Sequence, residues 1–217
     1  IAALISRIRR IPMIHWAMDV YPDVAVALGV LSKNSLVARF TKFVMRRAYD
    51  RSVLVVALDA VMAEHLRTLT KTDVEISTPW TFGSFLEADL EASKGEASPI
   101  WLYSGNLGLA HEWKSLIEAQ AELERRDSGL RLVIQGGGKN YREARIYAAT
   151  KNLRQIEFRD FAPEPQTVSI LASADILVAT QRPETQGLLW PSKLSLLCHC
   201  SRPLLWIGPP SPCLLYT

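Results

Sequence analysis

LRLVIQGGGKNYREARIYAATKN, residues 130–152, runs from a short apolar stretch through three glycines into a helix-forming segment. Four to eight apolar residues closed by glycine read as a buried strand, and the segment that follows reads as its crossover helix. The same unit recurs on both sides. Upstream, PIWLYSGNLG (99–108) is a strand entering a glycine-bearing loop, and HEWKSLIEAQAELERRD (111–127) is a helix. Downstream, IEFRDF (156–161), DILVAT (175–180) and PLLWIG (203–208) are strands, with helices over 164–174 and 191–200. Proline stands at the first turn of the last helix, where its missing N–H costs nothing.

An earlier series precedes this one. IPMIHWAM (11–18) reads as a buried strand and LSKNSLVARFTKFVMRRAYDRS (31–52) as an amphipathic helix. VLVVAL (53–58) is a second buried strand, DAVMAEHLRTLT (59–70) a helix capped by its aspartate, and DVEISTPW (73–80) a third strand. Residues 81–98 are acidic, small and irregular, as a linker would be. Strands that alternate with helices predict parallel sheets covered on both faces. The expectation is an α/β chain of two doubly wound Rossmann-like domains, residues 1–94 with the linker and residues 95–212, with ligands at the carboxyl ends of strands.

The bulk numbers fit a packed chain. Of 217 residues, 48% are hydrophobic and 22% charged, which excludes disorder. No apolar run reaches the roughly 18 residues of a membrane span. Three cysteines, Cys198, Cys200 and Cys213, make no disulfide framework and suit a reducing compartment. Residues 1–51 hold nine Lys/Arg against Asp19, Asp23 and Asp50, so the excess positive charge lies at one end and points to an anionic partner there. CLLYT, residues 213–217, is what TGTCTCTTATACACA encodes, a run used in transposon-based sequencing adapters, so this tail is expected to be non-native. Both ends are expected to be truncated.

Three sites carry chemistry. The loops GNLG (Gly105, Asn106) and GGGK (Gly136, Gly137, Gly138) each follow a strand and precede a helix, where glycine lets backbone N–H groups approach a phosphate. Either loop alone reads at least as well as a tight turn, and GGGKNY is not a dinucleotide fingerprint. PETQGLLWPSKL (183–194) sets Glu184 after a buried strand and Ser192 and Lys193 at a helix start. A carboxylate can accept hydrogen bonds from hydroxyls, while a helix end with a hydroxyl and an ammonium favours an anion. Together they describe a ligand with sugar and phosphate parts. The alternative is a capped helix with a solvated lysine. Cys198-His199-Cys200 cannot close on one ion from successive helical positions.

In order and spacing, HWAMDVYPDVAVALG (15–29), ISTPW (76–80), YSGNLGLAHEW (103–113), LVIQGGG (132–138), FRDFAPEPQTVSILASADILVAT (158–180) and ETQGLLWPSKL resemble the GT-B glycosyltransferases of family 4, in their bacterial surface-polysaccharide branch with a D-x-x-P motif and a Pro-Ser-Lys helix start. The resemblance implies two Rossmann-like domains facing a cleft, both incomplete here, and a retaining transfer of sugar from a nucleoside-diphosphate sugar, with no metal or other cofactor. It implies that Gly105 and Asn106 lie near the diphosphate and Gly136–Gly138 near the nucleotide. Pro163, with Phe161 and Ala162, would lie along the base. Glu184 would contact sugar hydroxyls and Lys193 would supply phosphate charge. Asp19 would bind the acceptor or act as general base, with His15 a weaker choice. Two departures stand out. Ser192 occupies the place of the family's second acid, and Asn106 that of an expected arginine, with only His111 and Lys114 as nearby bases. The implied acceptor is a lipid-linked glycan, the location cytoplasmic and peripheral at the inner face of the plasma membrane, and nucleic acid is not a partner. A GT-B 2-epimerase and a non-catalytic nucleotide-binding protein remain as rivals.

The basic helix over 36–51 is either a solvated face or a surface that adheres electrostatically to an anionic membrane. Its apolar side (Leu36, Val37, Phe40, Phe43, Val44) is expected to pack on the sheet.

Overall fold

The computed structural model describes residues 1–79 and 98–210. The boundary at 94/95, nearly all of the linker and the tail 213–217 lie outside the described residues. Two compact units result. Among the described residues, the first takes Ile1–Pro79, Pro183–Trp190 and residues 209–210; the second takes residues 98–182 and Pro191–Gly208.

The first unit contains α1 (Ala2–Arg9), β1 (Ile14–Trp16), α2 (Asp23–Ala27), α3 (Leu36–Arg51), β2 (Leu54–Ala57), α4 (Ala60–Arg67) and β3 (Val74–Ile76). Its sheet is parallel in the order β1-β2-β3. Two helix starts follow directly from sequence. Ser35 accepts a hydrogen bond from the Ala38 amide at 3.1 Å, and Asp59 accepts one from the Met62 amide at 2.7 Å. Each satisfies an amide that the first helical turn leaves without an internal partner. The core gathers Val55, Ala57, Leu58, Met62 and Leu66, and Leu188 and Trp190 pack against it from the returning segment. That segment is fixed by the Val20 amide, which donates to the Leu188 carbonyl at 2.8 Å, and by the bridge between Asp19 and Leu189.

Two expectations fail here. Residues 11–18 are not a buried strand: only Ile14–Trp16 pair, and Ile14 and Trp16 are exposed. Among the described residues β1 pairs with β2 alone, at the edge of a three-stranded sheet, and the face that carries Ile14 and Trp16 is left uncovered. The second failure is at α3. Its expected apolar side does not pack on the sheet; Leu36, Val37, Phe40, Phe43 and Val44 are all exposed. Ala38, Met45 and Tyr49 face the core instead. They lie about half a turn away, and at about 100° per residue one helix cannot bury both stripes against a single layer. The helix α1 had no counterpart in the sequence reading.

The second unit holds β4 (Ile100–Asn106), α5 (Lys114–Arg125), β5 (Arg131–Gly137), α6 (Tyr141–Thr150), β6 (Ile156–Arg159), α7 (Thr167–Ser173), β7 (Ile176–Thr180), α8 (Leu194–His199) and β8 (Leu204–Ile207). All five strands are parallel, in the order β6-β5-β4-β7-β8. This is a doubly wound sheet begun at its centre. Trp101, Tyr103, Leu116, Ile117, Leu132 and Ile134 build its core. The Trp101 indole donates to Gln120 at 2.7 Å, which satisfies the polar atom that burial would otherwise strand. The expected last helix shrinks to Leu194–His199, because Pro191, Ser192 and Lys193 form the turn that precedes it. Among the described residues no helix is long and apolar enough to cross a membrane.

Candidate functional site

Strand order in the second unit reverses between β4 and β7. In doubly wound sheets the connections that leave such a pair go to opposite faces, and ligands bind at the carboxyl ends there. The residues at this place are those after β4, those after β7, and one that arrives from the turn before α8.

Lys193 is the arrival. Its Nζ lies 3.8 Å from the centroid of the Tyr103 ring, and a Cβ placed on Gly105 would stand 2.9 Å from it. Gly105, at φ 134, therefore supplies both the backbone conformation and the room that the lysine needs. The ammonium is buried with no hydrogen-bond partner among the described residues. The ring face compensates part of the lost hydration. Burial still dominates and brings the Lys193 pKa down to about 7.

His111 stands beside it. Its Nδ1 is 2.9 Å from the Thr180 carbonyl oxygen, and its ring meets that of Tyr103 edge-on. Burial, then the charge of Lys193, push the imidazole down to about 4, against the pull of the bond to Thr180. The ring is thus neutral near pH 7. Because a carbonyl only accepts, Nδ1 holds the proton and Nε2 offers its lone pair. The Tyr103 hydroxyl donates to the Asn106 carbonyl at 3.0 Å, and burial raises its pKa. The cluster is a buried ammonium set among neutral groups, the Tyr103 ring and the His111 imidazole. An isolated buried charge is costly, so such a site favours an anion from solution.

The other glycines serve the frame. A Cβ on Gly136 would sit 2.1 Å from the Gly105 carbonyl oxygen, so the two loops touch backbone to backbone. The Leu107 amide donates to the Gly137 carbonyl, and the Asn140 amide and side chain donate to the carbonyls of Leu107 and Gly108. Gly138 packs on Asn106 and Leu107, and Gly137 lies under the ring of Phe161, whose outer face is exposed. Pro163 is exposed and opens the 3-10 turn Glu164–Gln166.

The structure thus gathers Lys193, Gly105, Asn106 and the Gly136–Gly138 loop in one unit. Ser192 is exposed on the turn beside Lys193. Glu184, exposed on the 3-10 turn Pro183–Thr185, belongs to the segment carried by the first unit. Asp19 is in that unit too, on the bridge to Leu189, and partial burial raises its carboxyl pKa. His15 is half-buried, edge-on to Tyr49 at 4.8 Å, and burial lowers its pKa. Lys114 lies over Trp113 on α5. Cys198 is exposed and Cys200 buried, and among the described residues no group of three His, Cys, Asp or Glu side chains could hold a metal. The sequence reading did not find Tyr103 and Thr180. Tyr103 is one aromatic in a run of apolar strand residues, and only the neighbourhood of Lys193 distinguishes it.

The fold is α/β with parallel sheets, of the GT-B class. Residues 87–189 match the family model described as Glycosyl transferases group 1. Among solved structures, the chain is similar to sucrose-phosphate synthase from Thermosynechococcus elongatus (TM-score 0.67, 14% identity, 95% of this chain and 54% of that one). It is also similar to a TarM mutant from S. aureus solved with fondaparinux, alpha-GlcNAc-glycerol and UDP (TM-score 0.61, 13% identity, 81% and 34%). A third is the lipopolysaccharide outer core galactosyltransferase WaaB (TM-score 0.55, 13% identity, 75% and 46%). The chain spans about a third to a half of the length of these proteins. No curated protein matches it in sequence.

Proposed function

We propose that this chain is part of a glycosyltransferase that moves a sugar from a nucleoside-diphosphate sugar to an acceptor hydroxyl, with the diphosphate held at Lys193. The observation that carries this is the buried ammonium, without a hydrogen-bond partner among the described residues, at the end of β4, beside a glycine loop, in a sheet whose strand order reverses there. Its charge favours the diphosphate most as the sugar–phosphate bond breaks and negative charge gathers on the leaving oxygen. Lys193, at a pKa near 7, can also hold or give a proton there. Neutral His111 offers Nε2 as an acceptor for a donor hydroxyl. Phe161 and Pro163 offer an apolar bed for the base, and Glu184 hydrogen-bond acceptors for the sugar. Asp19 serves the acceptor, as a binding group or general base, and its raised pKa suits the second role. Retention of configuration, the absence of a metal requirement, a lipid-linked glycan of surface polysaccharide as acceptor, and a cytoplasmic location rest on the family resemblance. The match to the glycosyl transferase model and the GT-B neighbours support the class of reaction.

Calorimetric titration with UDP, GDP, their sugars and orthophosphate tests this. Saturable binding of a nucleoside diphosphate, much tighter than that of orthophosphate and weakened about 10- to 100-fold in Lys193→Met, is the expected result. Equal binding of parent and Lys193→Met overturns it. Donor turnover with a glycan acceptor separates transfer from epimerisation and from binding alone.

A further inference from the structure

Gln120 and Gln135 are both buried in the second unit, and they differ in what they bond. Gln120 is satisfied at both ends of its carboxamide. Its Oε1 accepts from the Trp101 indole at 2.7 Å, and its Nε2 donates to the Leu130 carbonyl at 3.1 Å. Gln135 is 5% exposed, and its Oε1 is buried without a hydrogen-bond partner among the described residues. A buried acceptor in that state destabilises the fold, and a methionine of similar size would not carry the cost. The place of Gln135 shows what could satisfy it. Successive residues of a strand face opposite sides of the sheet. Leu132 and Ile134 point into the core shared with α5 and α6, so Gln135 faces the other side, at the last rung before Gly136. The register sets it between Ser104 on β4 and Arg159 on β6. Neighbouring strands lie about 4.8 Å apart, so the three side chains form one row of hydroxyl, carboxamide and guanidinium. Arg159 is anchored on Glu157 by bonds of 2.6 and 2.9 Å. Gly136 and Gly137 have no side chain to cover the row, and the Phe161 ring lies over Gly137.

We infer that this row reads the base of the nucleotide donor and that the base is uracil: Gln135 Oε1 accepts its N3–H, with the Ser104 hydroxyl and the Arg159 guanidinium as donors toward the carbonyls on either side. The order of the groups selects this ligand. One acceptor flanked by donors complements an edge with one N–H between two carbonyls, which uracil has. Guanine shows one carbonyl and then two N–H groups. Cytosine and adenine set a ring-nitrogen acceptor where the N–H would stand, opposite Oε1. Two acceptors that face each other are both left unsatisfied, and a site built to hydrogen-bond a ligand N–H rejects analogues that lack it. The Phe161 ring offers a flat face on which a base stacks. The inference rests on the sugar-transfer reading and adds to it the base and the residue that reads it.

Calorimetric titration of the 217-residue chain tests it, with UDP, CDP, GDP, ADP and the N3-methylated analogue of UDP, on the parent and on Gln135→Met. The parent should bind UDP the tightest. Methylation of N3 should weaken binding about 10-fold or more, since it removes the hydrogen that Oε1 accepts. Gln135→Met should bind UDP about 10-fold more weakly than the parent and hold UDP and the methylated analogue within about threefold of each other. Its melting temperature without ligand should equal or exceed the parent's, because the orphan acceptor is gone; a side chain that serves the fold alone would show the reverse. A parent that binds UDP and its N3-methylated analogue alike, or binds CDP, GDP or ADP as tightly as UDP, overturns the inference and leaves the sugar-transfer reading in place. A Gln135→Met variant that binds UDP like the parent does the same. A parent that binds none of these nucleotides overturns both.

Discussion

Lys193 is the residue on which the site turns. Its folded pKa, about 7, is below its ordinary 10.5. Between these values the unfolded chain holds a proton that the folded chain has shed. Stability from this group therefore rises with pH across that window, and its burial penalty is largest below pH 7. Lys193→Met removes that charge, so thermal melts should show a variant more stable than the parent at pH 6 to 7 and a flatter pH profile above. The same variant should bind nucleoside diphosphate about 10- to 100-fold more weakly, the range expected for one charge-assisted hydrogen bond. A bound anion restores the lysine's proton. Titration above pH 7 in buffers of different ionisation heat should therefore show proton uptake on binding, and none for Lys193→Met. The notion that Lys193 mattered was legible in the Pro-Ser-Lys run. That it is desolvated against Tyr103 was not, because β4 and the turn before α8 lie about 90 residues apart in sequence.

At the scale of elements, the glycine loops show how a sequence signal can carry two meanings. The Gly136 Cα faces the Gly105 carbonyl so closely that a methyl group would overlap it. Gly136→Ala should cost about 2–4 kcal/mol in urea unfolding, from an unfavourable φ of 134 together with overpacking. Gly105→Ala shares that φ and its backbone cost, but its Cβ meets only the end of a lysine side chain, so it should cost less stability than Gly136→Ala and weaken donor affinity as well. Helix starts behave more simply. Asp59→Ala should lose about 1 kcal/mol, measurable by denaturant melts. Element order was readable because most strands here are short, mainly apolar runs and two helix starts, those of α3 and α4, carry a capping side chain. The ends were less so: α8 begins three residues later than Pro191 suggests, since Leu194 closes a turn onto the Pro191 carbonyl first.

On the scale of the whole molecule, each unit has its own core, and the first unit's is not continuous in sequence. Residues 183–190 leave the second unit to lay Leu188 and Trp190 on the cluster built from β2 and α4. Gly187, at φ 70, packs against Val61, where a Cβ would stand 2.8 Å from Cγ1. Leu188→Ala should therefore loosen the first unit. Amide exchange should speed up at Leu54–Ala57 and stay unchanged at Leu132–Ile134, and equal protection in both would contradict this division.

Local chemistry determined much of this protein by itself. Apolar runs, glycine turns and caps fix where strands and helices form, and the alternation of the two compels parallel sheets, because every crossover must return to the same end. Tertiary structure alone decided which side of each element is buried. On α3 two apolar stripes compete for one layer, and the core takes Ala38, Met45 and Tyr49 while Phe40 and Phe43 are left outside. In β4 and the turn before α8 it decided that a lysine loses its water against an aromatic ring. Burial depends on what the rest of the chain brings to each surface, and no local pattern contains that.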